Sequence, residues 1–161
     1  MSGQVEARLE ELGIILPRPP KAIGNYLPGV VVGNILYLSG TLGTRPDEND
    51  NDVLPFEGKV GSDLTIEQGY QSARLMAINH LALMKTVLGD LDRVKRIVKM
   101  VGYVTCAPGF TEPHLVLNGA SDLYVEVFGP DFGKHARAAL TQHELGLNAP
   151  VEAEMTIEVR S

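Results

Sequence analysis

The sequence predicts an α+β sandwich, with two helices laid on one face of a sheet. Three patterns point to it. From about Thr65 to Leu88, the residues Ile66, Tyr70, Ala73, Ala77, Leu81, Met84 and Leu88 recur at helical spacing. From Val151 to Val159, five apolar residues alternate with Glu152, Glu154, Thr156 and Glu158, the period of a strand with one buried face. The remaining segments complete the order strand, strand, helix, strand, helix, strand, strand.

Each element has its own warrant. Val5, Leu9 and Leu12 share one face of a short N-terminal helix. Leu16-Pro17-Arg18-Pro19-Pro20 ends it, because proline favours extended backbone. Val30 to Gly40 reads as a β-hairpin, with two β-branched or aromatic runs flanking Gly33-Asn34. Residues 44–52 are polar and acidic, a surface loop, and a small turn follows at 57–61. Thr65 and Gln68 fit a capping box at the start of the long helix, and Gly89-Asp90 closes it. The strand from about Val94 to Thr105 should bury Val98, Met100, Val104 and Cys106, which share parity. Leu117, Ala120, Tyr124 and Val127 form the stripe of a second helix, about Pro113 to Phe128, in which Gly119 is unfavourable. A Phe-Gly-Pro-Asp-Phe-Gly turn leads into a strand from about His135 to Glu144, and a turn at 146–149 would join it to the last strand as a hairpin.

Composition bounds the function. A chain of 161 residues is one domain by length, with 1–20 as an N-terminal helix and proline-rich extension. Net charge is -6, which argues against a broad nucleic-acid surface. Arg93, Lys95, Arg96 and Lys99 read as the solvated entrance of a strand. The single cysteine, Cys106, allows no intrachain disulfide and fits a reducing compartment. No basic segment followed by an apolar run opens the chain, and no stretch could span a bilayer, so a cytoplasmic location is expected. Apolar residues on both parities of several strands, such as Val31, Ile35, Ile97 and Val101, predict a sheet face covered by further copies of the chain.

Chemistry-bearing residues are few. Arg137 is the only arginine in a mostly apolar strand and must find an anion or water. Its planar fork suits a carboxylate held at two points, or a surface carboxylate of the chain itself. His80, His114, His135 and His143 show no metal-ligand spacing, so no metal site is expected. Ser39 lacks a Gly-x-Ser-x-Gly context and is no nucleophile elbow. Cys106 reads as a small core residue.

Ala22-Ile23-Gly24-Asn25-Tyr26, Leu38-Ser39-Gly40, the strand from 91 to 103, Leu117-Asn118-Gly119, His135-Ala136-Arg137-Ala138 and Val151-Glu152-Ala153-Glu154 occur in an order and spacing that resembles the YjgF/RidA family, also called L-PSP endoribonuclease-like or UK-type. The resemblance covers about Pro20 to Val159; the N-terminal helix and the 44–52 loop depart from the short members and resemble a longer branch. It implies a chorismate-mutase-like fold and a homotrimer with ligand clefts between subunits. It implies cofactor-free hydrolysis of reactive enamines and imines of amino acids to 2-oxo acids and ammonia, although some members are described as ribonucleases. Residue by residue, Arg137 matches the arginine that holds the substrate carboxylate, and Glu152 the acid that positions the attacking water. Tyr26, Ser39 and Asn118 match substrate-binding positions. Many members carry a cysteine where this chain has Ala139. A backbone role at that position survives the change and a thiol role does not.

Without the resemblance, each of these residues has a plainer reading. Glu152 would belong to a solvated strand face with Glu154 and Glu158, Tyr26 would cap the core, and Asn118 would sit on an exposed helix face. If the last two strands formed a hairpin, Glu152 and Arg137 would lie roughly 20 Å apart. They would then meet only across a subunit boundary. A binding module for small carboxylate metabolites is the alternative function, followed by a ribonuclease; chorismate mutase activity would rest on the fold alone.

Overall fold

The computed structural model describes residues 3–161. In chain order the elements are α1 (Gln4–Glu11), β1 (Gly29–Val32), β2 (Ile35–Leu42), β3 (Arg45–Pro46), β4 (Asp52–Val53), α2 (Ile66–Leu88), β5 (Val94–Thr105), α3 (Pro113–Phe128), α4 (Pro130–Gly133), β6 (Ala136–Gln142) and β7 (Val151–Val159). Five strands form one mixed sheet in the order β1-β2-β7-β5-β6; β5 and β6 run parallel and the other neighbours antiparallel. The helices α2 and α3 bury their stripes on one face of it, and this is the α+β arrangement the periodicities predict.

Local chemistry sets the helix ends. At α2, the Gln68 backbone N–H donates to Thr65 Oγ1 (3.1 Å) and the Thr65 N–H to Gln68 Oε1 (2.9 Å), the reciprocal capping box. Gly89 ends the helix at φ +81°, where a side chain would be strained. Gly119, unfavourable by propensity, is required by packing: a Cβ there would overlap the Tyr70 carbonyl, so the glycine lets α3 rest directly on the α2 backbone. The N-terminal helix is part of the same core. Leu9 is buried, Val5 and Leu12 pack beside it, and the Asp92 carboxylate accepts the backbone N–H groups of Gln4 (2.8 Å) and Val5 (2.9 Å). Gly3 has no side chain to cap the helix, so Asp92 does it from elsewhere in the chain.

Four expectations are corrected. The last two strands are not a hairpin: β5 lies between β6 and β7, because β6 returns parallel to β5 after the α3 crossover. Val98 is only partly buried and Ile97 fully so, since an irregularity between Ile97 and Lys99 shifts the alternation. The 44–52 segment is not all loop: β3 and β4 pair across a turn in which Asp47 Oδ1 accepts the N–H groups of Asn49 and Asn51, each at 2.8 Å. The Phe-Gly-Pro-Asp-Phe-Gly segment contains the short helix α4. The sheet face away from the helices, with Tyr37, Val101 and Tyr103, carries no helix among the described residues.

Candidate functional site

A cleft opens where the sheet loses its edge strand. β1 pairs with β2 from Ile35 only as far as Leu38. Beyond that point β2 bulges at Ser39-Gly40, since the three-residue step from Leu38 to Thr41 faces a two-residue step on β7, from Met155 to Ala153. Ser39 Oγ donates to the Leu27 carbonyl, and its N–H to the Pro28 carbonyl (3.0 Å), which ties the Tyr26 segment to the bulge. The resulting cleft holds about 300 Å³ and brings together Tyr26, Ser39 and Glu152. The Glu152 carboxylate lies over Gly40, where a Cβ would fall 3.2 Å from Cδ and closer still to Oε1. Burial first, and the neighbouring Glu154 charge second, raise the Glu152 carboxyl above its ordinary value.

Arg137 and Asn118 are not in that cleft. Arg137 lies opposite Met100 on β5, and Glu152 opposite Tyr103. Three residues along β5 and two strand spacings separate them, about 14 Å. They also leave opposite faces: Arg137 reaches α3, while Glu152 alternates with the buried Val151 and Ala153. Arg137 Nη1 donates to Asn118 Oδ1 (2.9 Å) and Ser121 Oγ (3.0 Å), and Nη2 makes a long contact to the His114 carbonyl (3.5 Å). All three acceptors are neutral. No carboxylate lies within ion-pair distance among the described residues, and Nε has no partner there. Burial lowers the guanidinium pKa, against a smaller opposing effect of Asp122. Ala139 follows on the same side of β6, packed against the core and offering no thiol.

Behind Arg137 runs a polar chain that the sequence reading missed. The Gly133 carbonyl can only accept, so His135 donates from Nδ1 (2.7 Å). His135 Nε2 then accepts from Ser121 Oγ (3.0 Å), whose lone pairs remain for Arg137. The His135 ring stands edge-on to Tyr124, with centroids 5.6 Å apart. Deeper in the core, His80 is fully buried. Its Nε2 donates to the Ala153 carbonyl (3.2 Å) and its Nδ1 accepts from Tyr124 Oη (2.6 Å). Burial drives the His80 pKa down to about 4, so the ring is neutral at physiological pH. The available signal was spacing: His80 continues the Ala73, Ala77, Met84 stripe, and Tyr124 lies on the facing stripe of α3.

The other candidates are structural. Cys106 is buried and donates to the Val104 carbonyl (3.0 Å). Arg93 donates to the Leu88 carbonyl (3.1 Å), Lys95 pairs with Glu158 (2.8 Å), and Arg96 donates to the Asp131 carbonyl (2.8 Å), so three members of the basic cluster have partners within the chain. Among the described residues no group of His, Cys, Asp and Glu could hold a metal ion, and no helix is long and apolar enough to cross a membrane.

The fold and sequence have close relatives. A family model described as "YjgF/chorismate mutase-like, putative endoribonuclease" matches residues 6–157. The protein TCP17 of Trypanosoma cruzi is 41% identical over 161 residues, covering 99% of this chain and 97% of its own. The crystal structure of Atu1372 from Agrobacterium tumefaciens, a protein of unknown function, superposes with a TM-score of 0.86 at 39% identity, covering 98% of this chain and 93% of that one. A "putative endoribonuclease" from Shewanella oneidensis superposes with a TM-score of 0.89 at 32% identity, covering 98% of this chain and all of that one (100%). With nearly the whole chain matched and the mixed sheet and helix layer in common, this protein belongs to the YjgF/chorismate mutase-like family.

Proposed function

We propose that this chain hydrolyses reactive 2-imino and enamino acids to 2-oxo acids and ammonia, without metal or cofactor. The observation that carries the reading is Arg137: a partly buried guanidinium held by neutral acceptors, with its Nε edge left without a partner among the described residues. Such a fork is prepared for a carboxylate. Ser121 and Asn118 fix its plane, which orients the substrate and shortens the search for a reactive geometry.

The second half of the chemistry belongs to the Glu152 cleft. Water adds to the carbon of the protonated imine as Glu152 takes one of its protons. Glu152 returns that proton to the nitrogen of the carbinolamine, the C–N bond breaks with its electron pair going to the departing ammonia, and the hydroxyl gives its proton to the carboxylate as the C=O forms. A carboxyl with a raised pKa is a stronger base than an ordinary glutamate once ionised. Its negative charge also favours the cationic imine. Tyr26 and Ser39 line the same cleft and would contact the substrate.

Since Arg137 and Glu152 leave opposite faces of one chain, a complete site takes Arg137, Asn118 and the Ala139 backbone from one copy. Tyr26, Ser39 and Glu152 come from its neighbour. A homotrimer with clefts between subunits supplies that geometry, and the uncovered sheet face is the surface it would bury. Sedimentation equilibrium tests the assembly, and a monomer would sink it. The activity is tested by generating imines with an amino-acid oxidase and trapping survivors as semicarbazones. Wild type should accelerate imine loss and Arg137→Ala should not; equal turnover by the variant would refute the anchor.

A second reading, a binding module for small carboxylates, is favoured by Ala139 in place of the thiol. It predicts thermal stabilisation by 2-oxo acids with no turnover. The ribonuclease suggested by relatives' descriptions has less support here: net charge is -6, and Lys95 and Arg96 are engaged within the chain.

A further inference from the structure

The Glu152 cleft has a wall that the reaction itself does not require. Residues 14–23 cross the gap left by β1, anchored at one end by Ile14 and Leu16 against the core. At the other end a compact ion network holds them to the β3–β4 hairpin. Arg18 bridges two of the acids of that hairpin: Nε pairs with the Asp50 carboxylate, Nη1 with Asp52 Oδ1 (2.8 Å), and Nη2 donates to the Asp50 carbonyl (2.8 Å). Lys21 adds its backbone N–H to Asp52 Oδ2 (2.8 Å) and its ammonium to Asp50 Oδ2 (2.8 Å). The Arg18 and Asp52 side chains are only 26% and 17% exposed, so that pair is better shielded than an ordinary surface pair, whereas Lys21 and Asp50 are 59% and 62% exposed.

Two cations meet two carboxylates, so the network presents no net charge to the cleft. Most of the remaining lining beside Glu152 is apolar, with Pro19, Pro20 and Ile23 on the strap and Leu42, Leu83 and Leu147 elsewhere in the cavity, interrupted by the hydroxyls of Thr41, Thr44 and Thr86. The two prolines offer no N–H to a polar ligand. A cavity of about 300 Å³ is at the small end of ligand pockets. It has room for one amino-acid side chain beside the reacting carbon.

Resting on the proposed hydrolase reading, we propose that the strap, residues 18–23, is the specificity wall of the cleft: it selects imino acids with bulky aliphatic or aromatic side chains and rejects those with a second charge. The carboxylate anchor and the water-handling glutamate would serve any imino acid. The strap decides which ones fit, because an apolar pocket loses about 10–200-fold per missing methylene and a buried unpaired charge costs more.

The test uses the full-length protein and three product-like probes: pyruvate, 4-methyl-2-oxopentanoate and 2-oxoglutarate, titrated by calorimetry. Wild type should bind 4-methyl-2-oxopentanoate at least about tenfold tighter than either other acid. In Asp50→Asn/Asp52→Asn, which loosens the strap, that ratio should fall below about threefold, and trypsin should cut faster after Lys21. Pro19→Gly/Pro20→Gly removes the wall surface directly and should lower the ratio in the same way. Equal affinities in wild type, or an unchanged ratio in both variants, would overturn the inference while leaving the hydrolase reading intact. If wild type binds none of the three acids, the hydrolase reading falls and takes the inference with it.

Discussion

Gly40→Ala should abolish the proposed imine hydrolysis without unfolding the protein. Gly40 is exposed and does not use the left-handed region, so its backbone accepts alanine. Losing glycine restricts the unfolded chain and should change stability by no more than about 1 kcal/mol. The consequence is local. The new methyl group would sit 3.2 Å from Glu152 Cδ and closer to Oε1, whereas carbon contacts settle at about 3.5–4.0 Å. The carboxylate is the mobile partner, so it must move aside by about 1 Å, a misplacement that costs on the order of 10²-fold in rate. Imine loss measured beside Glu152→Gln and wild type gives the comparison, with thermal melting as the control for folding. Gly40→Ala with wild-type turnover would show that the carboxylate position in the cleft does not matter, and would remove Glu152 from the mechanism.

Other perturbations follow from the same contacts. Gly119→Ala should destabilise the fold by about 1–3 kcal/mol or more, because its Cβ meets the Tyr70 backbone and neither helix can yield locally; a shift in the urea midpoint checks it. The fully buried His80 makes stability depend on pH. Its folded pKa of about 4 lies below the unfolded 6.5, so between those values only the unfolded chain takes up the proton and stability falls as pH is lowered. The loss reaches about 3 kcal/mol. His80→Gln should flatten that part of the profile, and wild-type stability identical at pH 7 and 4.5 would contradict the burial argument. Under the proposed mechanism, the raised pKa of Glu152 should place the acid limb of kcat/KM above the ordinary glutamate value. Glu154→Gln should move that limb to lower pH by removing the neighbouring charge.

Much of this architecture was legible because it is written locally. The capping box at Thr65 and Gln68, the Gly33-Asn34 turn and the alternation from Val151 to Val159 need only nearby residues. The errors share the opposite cause. Whether β6 pairs with β5 or β7 depends on where the α3 crossover delivers the chain, and no residue of β6 encodes that choice by itself. The Val98 parity failed because two irregularities, between Val94 and Arg96 and between Ile97 and Lys99, invert the alternation only for the stretch between them, while Met100 and Val104 are buried as expected. The strap was read as a proline-rich extension because Arg18 finds Asp50 and Asp52 across 32 and 34 residues. For the site, the resemblance supplied Tyr26, Ser39 and Glu152, and the fold brings them into one cleft. It could not supply Ser121 and His135, which hold Arg137 through hydrogen bonds rather than through a motif.

The separation of Arg137 from Glu152 has a chemical use. Side by side in one chain they would form an ion pair that fills the guanidinium fork and holds the carboxyl low, which removes both the anchor and the base. In the proposed assembly, their placement on opposite faces with β5 between them would leave each in its reactive form until a neighbouring copy and a ligand bring them together. This makes a quantitative prediction. Arg137→Ala and Glu152→Gln should each be inactive alone. Mixed in equal amounts and allowed to exchange subunits, they should recover about a quarter of wild-type activity, because random association gives one site in four an intact arginine and an intact glutamate. Sites contained within single chains would recover nothing, and that result would return the chemistry to one subunit and require some other group to partner each residue.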